Sequence, residues 1–222
     1  MTAGFVAGFT FLFYIAVALA GMMLFRGATS ANGIAAKLAR VAGHASDVRI
    51  AVLLYLLSCV SALVLAVTLY GITRDHDDDL ARLALVCRVS EGVLNAILTV
   101  ATLGVVWLAT ARAGADAPDA AARLLGEFLL EIRSWSTIIG ATLFAVGSTL
   151  FSYLLLRGRS VPVPLAWLGL VASLLVLIGL PLELVGFLGD PITSVMWAPM
   201  LVFEVVLGLW LLIRGVAVPA GR

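Results

Sequence analysis

The sequence predicts an all-α membrane protein, a bundle of six transmembrane helices with one amphipathic interfacial helix between spans one and two. Apolar residues make up 63% of the 222 residues and charged residues only 12%, against about a quarter charged in globular domains. The apolar residues form six runs, each able to supply the roughly 20 residues that a helix needs to cross a bilayer. We place the spans, in a single domain of residues 1–222, near 5–25, 50–72, 80–110, 124–156, 165–188 and 195–214.

Composition and charge limit the classes of partner. The formal net charge of +1 gives no basic surface for a nucleic acid, so the expected partner is the lipid bilayer, and a homo-oligomer is compatible with this composition. Cys59 and Cys87 lie in or beside apolar runs and are interpreted as small buried hydrophobes. The sequence indicates no cofactor and no metal site. Its single lysine and abundant Ala, Gly and Val are typical of a GC-rich bacterial genome.

The first run, 5–25, is too long for the apolar region of a signal peptide, so we expect a retained span. Residues 31–46 then form an amphipathic pattern. Apolar side chains recur at helical spacing on one face and basic side chains on another; these are Ile34, Leu38 and Val41, and Lys37, Arg40 and His44. Two placements fit this helix: in the membrane interface, or packed on the bundle as an ordinary connection.

The third span has two possible starts. A helix over 92–110 is long enough to cross and would leave Arg88 and Glu91 among the headgroups. A helix that begins near Leu80 would bury them together with Asn95. These three residues stand at i, i+3 and i+7, which is one helix face, so the sequence favours the longer helix.

The fourth span offers the same choice. Residues 134–156 suffice to cross the bilayer, which would leave Glu127, Glu131 and Arg133 at the interface with Trp135 as a belt aromatic. The fifth span contains Pro181 and Glu183, and the proline frees a backbone carbonyl inside the helix.

The sixth span carries the candidate site. Glu204 lies about 13 Å from the end of its helix at Ile213, at 1.5 Å per residue. Arg88 and Glu91 lie about 12 and 16 Å in from Leu80 on the same side of the membrane. A charged group at mid-bilayer costs about 2.5–3.5 kcal/mol and is usually paired inside the bundle. We therefore predict a ligand-binding site of Glu204, Arg88, Glu91 and Asn95, without assigning a catalytic residue.

The depths of two further charged residues in the membrane also suggest a second ion pair, between Arg133 and Glu183. Glu183 lies about 9 Å in from Gly189, and Arg133 lies at a comparable depth if its helix starts near Leu124. Six spans put both termini on one side. Lys and Arg are almost equally numerous on the two faces. The short loops, with Arg157, Arg159 and the basic C-terminal end on one face and no basic residue between Asp190 and Ser194 on the other, favour termini in the cytoplasm.

Three segments resemble a known family: residues 50–57 (IAVLLYLL), 83–91 (LALVCRVSE) and 204–215 (EVVLGLWLLIRG). They are similar to the bacterial membrane family catalogued as domain of unknown function 4386, and the likeness covers nearly the whole chain. The resemblance implies six spans in a bacterial inner membrane and no established activity. The polar positions of the matching segments include Arg88, Glu91 and Glu204.

Three functional hypotheses follow. The first is binding or transport of a small amphipathic or hydrophobic molecule in an intramembrane polar pocket, because buried charge at helix interfaces marks transport pathways and proton relays. The second is an enzyme that acts on a lipid or isoprenoid, with protonated Glu204 as general acid. The third is a structural or accessory membrane subunit whose charges only hold the helices together.

Overall fold

The computed structural model describes residues 3–111, 120–189 and 192–216, and within these ranges the secondary structure is entirely helical. The helices are numbered in chain order. They are α1 (Ala3–Thr29), α2 (Ile34–Gly43), α3 (Ala45–Thr73), α4 (Asp78–Ala111), α5 (Ala120–Arg157), α6 (Val163–Leu184), α7 (Ile192–Val195) and α8 (Trp197–Ile213).

In the described part of the chain, six helical segments are long and apolar enough to cross a membrane: α1, α3, α4, α5, α6 and the stretch Ile192–Ile213 that contains α7 and α8. Many of their large apolar side chains face outward, such as Leu53 and Val67 on α3 and Ile97 on α4. Water-soluble proteins rarely expose contiguous apolar patches of this kind. The predicted fold class is therefore confirmed.

The chain divides into two compact units. Unit 1 comprises Met1–Ile15, Val60–Gly92 and Ile138–Arg222, and unit 2 comprises Ala16–Cys59 and Val93–Thr137. Each unit has its own apolar core: that of unit 1 includes Leu65, Phe151 and Leu207, and that of unit 2 includes Val41 and Val105. The single domain over 1–222 stays a prediction.

In unit 1, glycines bring α1 and α8 into close backbone contact. A Cβ added at Gly8 would lie 2.6 Å from the carbonyl oxygen of Gly208 and 2.8 Å from Cα of Leu212. A Cβ at Gly208 would in turn lie 3.1 Å from Cβ of Phe11. Small residues commonly allow this close approach between transmembrane helices.

Helix α6 ends earlier than its apolar run predicts. The run continues to Leu188, but the helix stops at Leu184, because Gly186 adopts a φ of 80°. The amide of Gly186 donates to the carbonyl of Glu183, and the amide of Phe187 donates to that of Leu182. This pair of bonds around a left-handed glycine is the Schellman motif, which satisfies the last carbonyls and turns the chain.

The acidic turn before α4 is tied to the turn after α5 within unit 1. Arg157 Nη1 donates to Asp77 Oδ2 at 3.0 Å, and His76 Nε2 lies 3.2 Å from Ser160 Oγ. Asp78 accepts a hydrogen bond from Tyr70 and forms an ion pair with Arg82. Asp77 and Asp78 are thus engaged with protein partners.

In unit 2, α2 packs its apolar face on the protein. Leu38 and Val41 are buried, and a Cβ at Gly126 of α5 would meet the Ile34 side chain at 3.2 Å. On the polar side, Arg40 Nε donates to the carbonyl of Gly27 at 2.8 Å. The connecting helix is present as predicted, and its location in the membrane interface stays a prediction.

Candidate functional site

The start of α4 decides the environment of its charged residues. Asp77 precedes the helix, and its side-chain oxygen accepts a hydrogen bond from the Leu80 amide at 3.2 Å. An Asp at this position satisfies one of the amides that have no partner inside the first turn. The helix consequently begins at Asp78, as in the longer of the two alternatives, and Arg88 and Glu91 lie well inside it.

Arg88 and Glu91 form a buried ion pair. Their side-chain atoms Nη1 and Oε2 lie 2.8 Å apart, and the residues are 2% and 3% exposed. The contact has the distance but not the angle of a hydrogen bond. Residues three apart face each other on a helix, so α4 supplies both partners of this pair.

Two other helices of unit 1, α1 and α5, surround Arg88. Its guanidinium lies over the ring of Phe144, 4.4 Å from the centroid, which is a cation–π geometry. Tyr14 of α1 also interacts with the guanidinium. Gly147 leaves room for the aliphatic stem, because a Cβ there would lie 2.8 Å from Arg88 Cγ. The guanidinium is therefore fixed from α1, α4 and α5.

Glu204 meets this group from α8. It is the eighth residue of the 17-residue helix and is only 7% exposed. Glu204 and Arg88 line one cavity of about 20 Å³ in unit 1, which is room for about one water molecule. The remaining lining residues are Phe11, Leu69, Ser148, Phe151, Ser152, Leu155, Met200, Phe203 and Leu207.

The charges of this cluster do not balance. The cluster contains one guanidinium, that of Arg88, and two carboxyl groups, those of Glu91 and Glu204. Glu204 interacts electrostatically with Arg88 and with Glu91. Two ionised carboxylates and one arginine leave one net negative charge among apolar side chains. A buried charge that is not compensated costs several kcal/mol. The arrangement therefore favours uptake of one proton or of one cation.

The other predicted site residues lie elsewhere. Asn95 is half-buried and belongs to unit 2. Arg133 also belongs to unit 2, where it contacts Thr102, Tyr55 and Phe25. Glu183 is half-buried near the end of α6 in unit 1. The membership of Asn95 in the ligand-binding site stays a prediction, and so does the ion pair between Arg133 and Glu183.

Sequence reasoning gave no role to three residues that surround Arg88, namely Tyr14, Phe144 and Gly147. Tyr14 carried a usable signal, since a hydroxyl near the middle of an apolar span requires a polar partner. Phe144 and Gly147 carried none, because aromatic residues and glycines are common throughout this sequence.

A larger groove in unit 1 has no polar lining. It has a volume of about 680 Å³ and is formed by Leu175 of α6 together with residues of α7 and α8, namely Ile192, Val195, Met196, Ala198, Pro199 and Val202. Binding sites usually combine apolar walls with a few placed polar groups. The groove lacks such groups, so the cavity at Glu204 is the candidate site. Within the described ranges, no group of three or more His, Cys, Asp or Glu side chains could hold a metal ion.

Comparison with known proteins identifies a family but no characterised relative. No curated protein and no solved structure matches the chain. The model of the family described as "Domain of unknown function (DUF4386)" matches residues 6–215. This match covers Arg88, Glu91 and Glu204 and nearly the whole sequence. The chain therefore belongs to the DUF4386 family.

Proposed function

We propose that the protein is a carrier for a small amphipathic cation, and that this cation and a proton compete for Glu204. The observation that carries the proposal is the small cavity that Glu204 of α8 and Arg88 of α4 line together. Ionisable groups inside a transmembrane bundle often belong to substrate pathways or proton relays.

Charge is the first argument for a cation. Glu91 lies 2.8 Å from Arg88 and compensates the guanidinium from the same helix. Glu204 is then the second carboxyl beside a single arginine. A bound proton or a bound ammonium group would neutralise it, whereas an anion would add a second uncompensated charge. One carboxyl that accepts either species in turn gives exchange between a proton and a cation.

Size and shape are the second argument. The cavity of about 20 Å³ has room for about one water molecule, and an ammonium head group is of similar size. The walls beside it are apolar, with Phe151, Met200 and Phe203 among them. An alkyl chain attached to the head group would lie against these side chains after they move. Met200 is unbranched and adapts readily to such a change.

The test uses two ligands of equal length and opposite charge. Purified protein in maltoside detergent is heated in the presence of hexylammonium or of hexanoate, and the unfolding midpoint is recorded. A ligand that binds the folded state raises this midpoint. We expect hexylammonium to raise it and hexanoate to leave it unchanged.

Two variants locate the effect. Glu204→Gln keeps the side-chain size and removes the charge, so the response to hexylammonium should disappear. Glu131→Gln, which removes an exposed carboxyl of α5, should respond like the wild type. Equal stabilisation by both ligands, or an undiminished response in Glu204→Gln, would reject the proposal.

The enzyme and the accessory-subunit hypotheses lead to other results. Incubation of the protein with a membrane lipid extract, followed by mass spectrometry, would yield a new product if Glu204 acts as a general acid. A purely structural cluster would give no ligand response, and Glu204→Gln would change only the unfolding midpoint.

We also propose that the protein lies in the inner membrane of a bacterium with both termini in the cytoplasm. An even number of spans implies that the termini share one side. Arg157 at the end of α5, Arg159 just after it and Arg214 just after α8 would lie on that side, as cytoplasmic basic residues usually do. A fluorescent protein fused to the C-terminus should fold and fluoresce. A fused alkaline phosphatase that is active instead would reverse the orientation.

A further inference from the structure

Arg133 of unit 2 is held by neighbouring side chains, but its surroundings differ from those of Arg88. Arg133 Nη1 donates to Thr102 Oγ1 at 2.8 Å, and Nη2 donates to the Tyr55 hydroxyl at 3.2 Å. Its guanidinium lies 4.0 Å from the ring centroid of Phe25 and 5.0 Å from that of Tyr55. We infer that this cage of Arg133, Tyr55, Thr102 and Phe25 binds a phosphate group at the membrane surface.

The cage orients the arginine without neutralising it. Both hydrogen-bond acceptors are neutral hydroxyls, and the rings are neutral as well. Among the described residues, no carboxylate lies within ion-pair distance of Arg133. A guanidinium has five N–H donors, and two of them are used here. The remaining donors and the full positive charge are available to an anion.

The cage is also held in place. Thr102 is fully buried, and its hydroxyl donates to the carbonyl of Leu98 at 3.1 Å, so its oxygen is left to accept from Arg133. Aromatic faces on the guanidinium further restrict its orientation. A planar arginine fork that is oriented before binding suits the bidentate recognition of phosphate.

The position of Arg133 on α5 matches the headgroup layer. Residues 134–156 contain no charged side chain and would extend about 34 Å as a helix, which is enough to cross the hydrocarbon core of roughly 30 Å. Trp135 and Trp107 of unit 2 are 49% and 66% exposed. Exposed tryptophans are typical of the membrane interface. Arg133 therefore lies at the edge of the span, at the depth of lipid phosphates.

The charge of unit 2 also favours an anion. The sequence of its two ranges contains seven basic residues (Arg26, Lys37, Arg40, Arg49, Arg112, Arg123 and Arg133) and five acidic ones (Asp47, Asp116, Asp119, Glu127 and Glu131). Basic clusters beside a span attract anionic lipids. The phosphate can belong to a lipid headgroup or be free in solution, and the two sources are separated by experiment.

The experiment uses maltoside detergent, which contains no phosphate. Short-chain phosphatidylglycerol, the matching diacylglycerol without phosphate, and inorganic phosphate are titrated separately, and the unfolding midpoint gives the apparent affinity. Phosphatidylglycerol should stabilise the wild type and diacylglycerol should not. If inorganic phosphate stabilises the protein equally well, the source of the anion is free phosphate. A response to phosphatidylglycerol alone assigns the site to a lipid.

The variants connect the effect to the cage. Arg133→Gln should weaken phosphatidylglycerol binding about tenfold or more, as expected for loss of charge-assisted hydrogen bonds. Arg82→Gln removes an exposed arginine of unit 1 and should bind like the wild type. If Arg133→Gln does not fold, Tyr55→Phe, which keeps the ring and removes the hydroxyl, should still reduce the affinity. Equal stabilisation by diacylglycerol, or wild-type affinity in the Arg133 or Tyr55 variant, overturns the inference.

Discussion

Arg88 Nη1 lies 2.8 Å from Glu91 Oε2 on the same face of α4. Because this helix supplies both charges, the pair can form whether or not α8 is present. Glu204 of α8 then adds a second carboxyl to a cluster that already has its counter-charge. The excess carboxyl distinguishes this cluster from a simple structural salt bridge and is the reason to expect proton or cation binding.

Removing the arginine of the cluster should destabilise the protein more than removing the Glu204 carboxyl. Arg88→Gln leaves two buried carboxyl groups without a cation and should lower the free energy of unfolding by about 3–5 kcal/mol. Glu204→Gln removes the excess charge and should cost much less. Arg82→Gln is the control, because Arg82 is exposed and such pairs contribute about 0–1 kcal/mol. Denaturant unfolding in detergent micelles gives the free energy of unfolding of each variant. Equal decreases in this free energy for Arg88→Gln and Arg82→Gln would contradict the prediction.

Gly147 tests the placement of Arg88 without altering a charge. A Cβ at this position would lie 2.8 Å from Arg88 Cγ and 3.1 Å from the Ala84 carbonyl oxygen. Gly147→Ala should therefore destabilise by about 1–3 kcal/mol through overpacking and weaken hexylammonium binding.

The matched control for Gly147 is Gly71→Ala in α3, where a Cβ meets nothing within 4 Å. Alanine is favoured over glycine in a helix by up to about 1 kcal/mol, so Gly71→Ala should be neutral or stabilising. If Gly147→Ala has the same effect as Gly71→Ala, the close packing of Arg88 on α5 is wrong.

Gly8 tests the contact between α1 and α8. Its Cβ would meet backbone atoms of Gly208 and Leu212, which cannot rotate away as a side chain can. Gly8→Ala should separate the helices and lower stability by about 1–3 kcal/mol. Gly27→Ala, on the same helix with nothing within 4 Å, is the comparison. Thermal unfolding that ranks the two variants equally would argue against this contact.

The sequence predicted the six spans well, because the run of apolar residues alone determines which helices can cross a bilayer. It also selected Arg88, Glu91 and Glu204 for the site, since charged residues in apolar runs are few and their depths along the helices agree. The sequence favoured the longer α4 because Arg88, Glu91 and Asn95 share one helix face. It did not reveal the hydrogen bond from the Leu80 amide to the Asp77 side chain that caps the start of this helix.

Other features depend on packing between helices. The stacking of Arg88 on Phe144 and the small cavity at Glu204 arise from the approach of segments distant in sequence, and no local pattern encodes them. The early end of α6 had a local signal in Gly186, but the apolar residues on both sides of that glycine obscured it. The contacts of Arg133 with Phe25, Tyr55 and Thr102 had no local signal, because these residues are distant from it in sequence.

Competition at Glu204 predicts a pH dependence. In the pH range where the free protein holds a proton on Glu204, each hexylammonium ion that binds must displace that proton. The apparent affinity for hexylammonium should therefore rise with pH, by up to about tenfold per pH unit. The rise should level off once the carboxyl is ionised without a ligand. Calorimetric titration over a series of pH values measures the slope. A flat profile with strong binding throughout would mean that no proton competes.

The most direct measurement is the number of protons released when hexylammonium binds. Protein in weakly buffered detergent solution is mixed with the ligand at a pH below the plateau of the affinity curve, and a pH indicator records the change. We expect about one proton per cation bound to the wild type, and neither binding nor release with Glu204→Gln. Binding of the cation to wild-type protein without proton release would contradict exchange at Glu204.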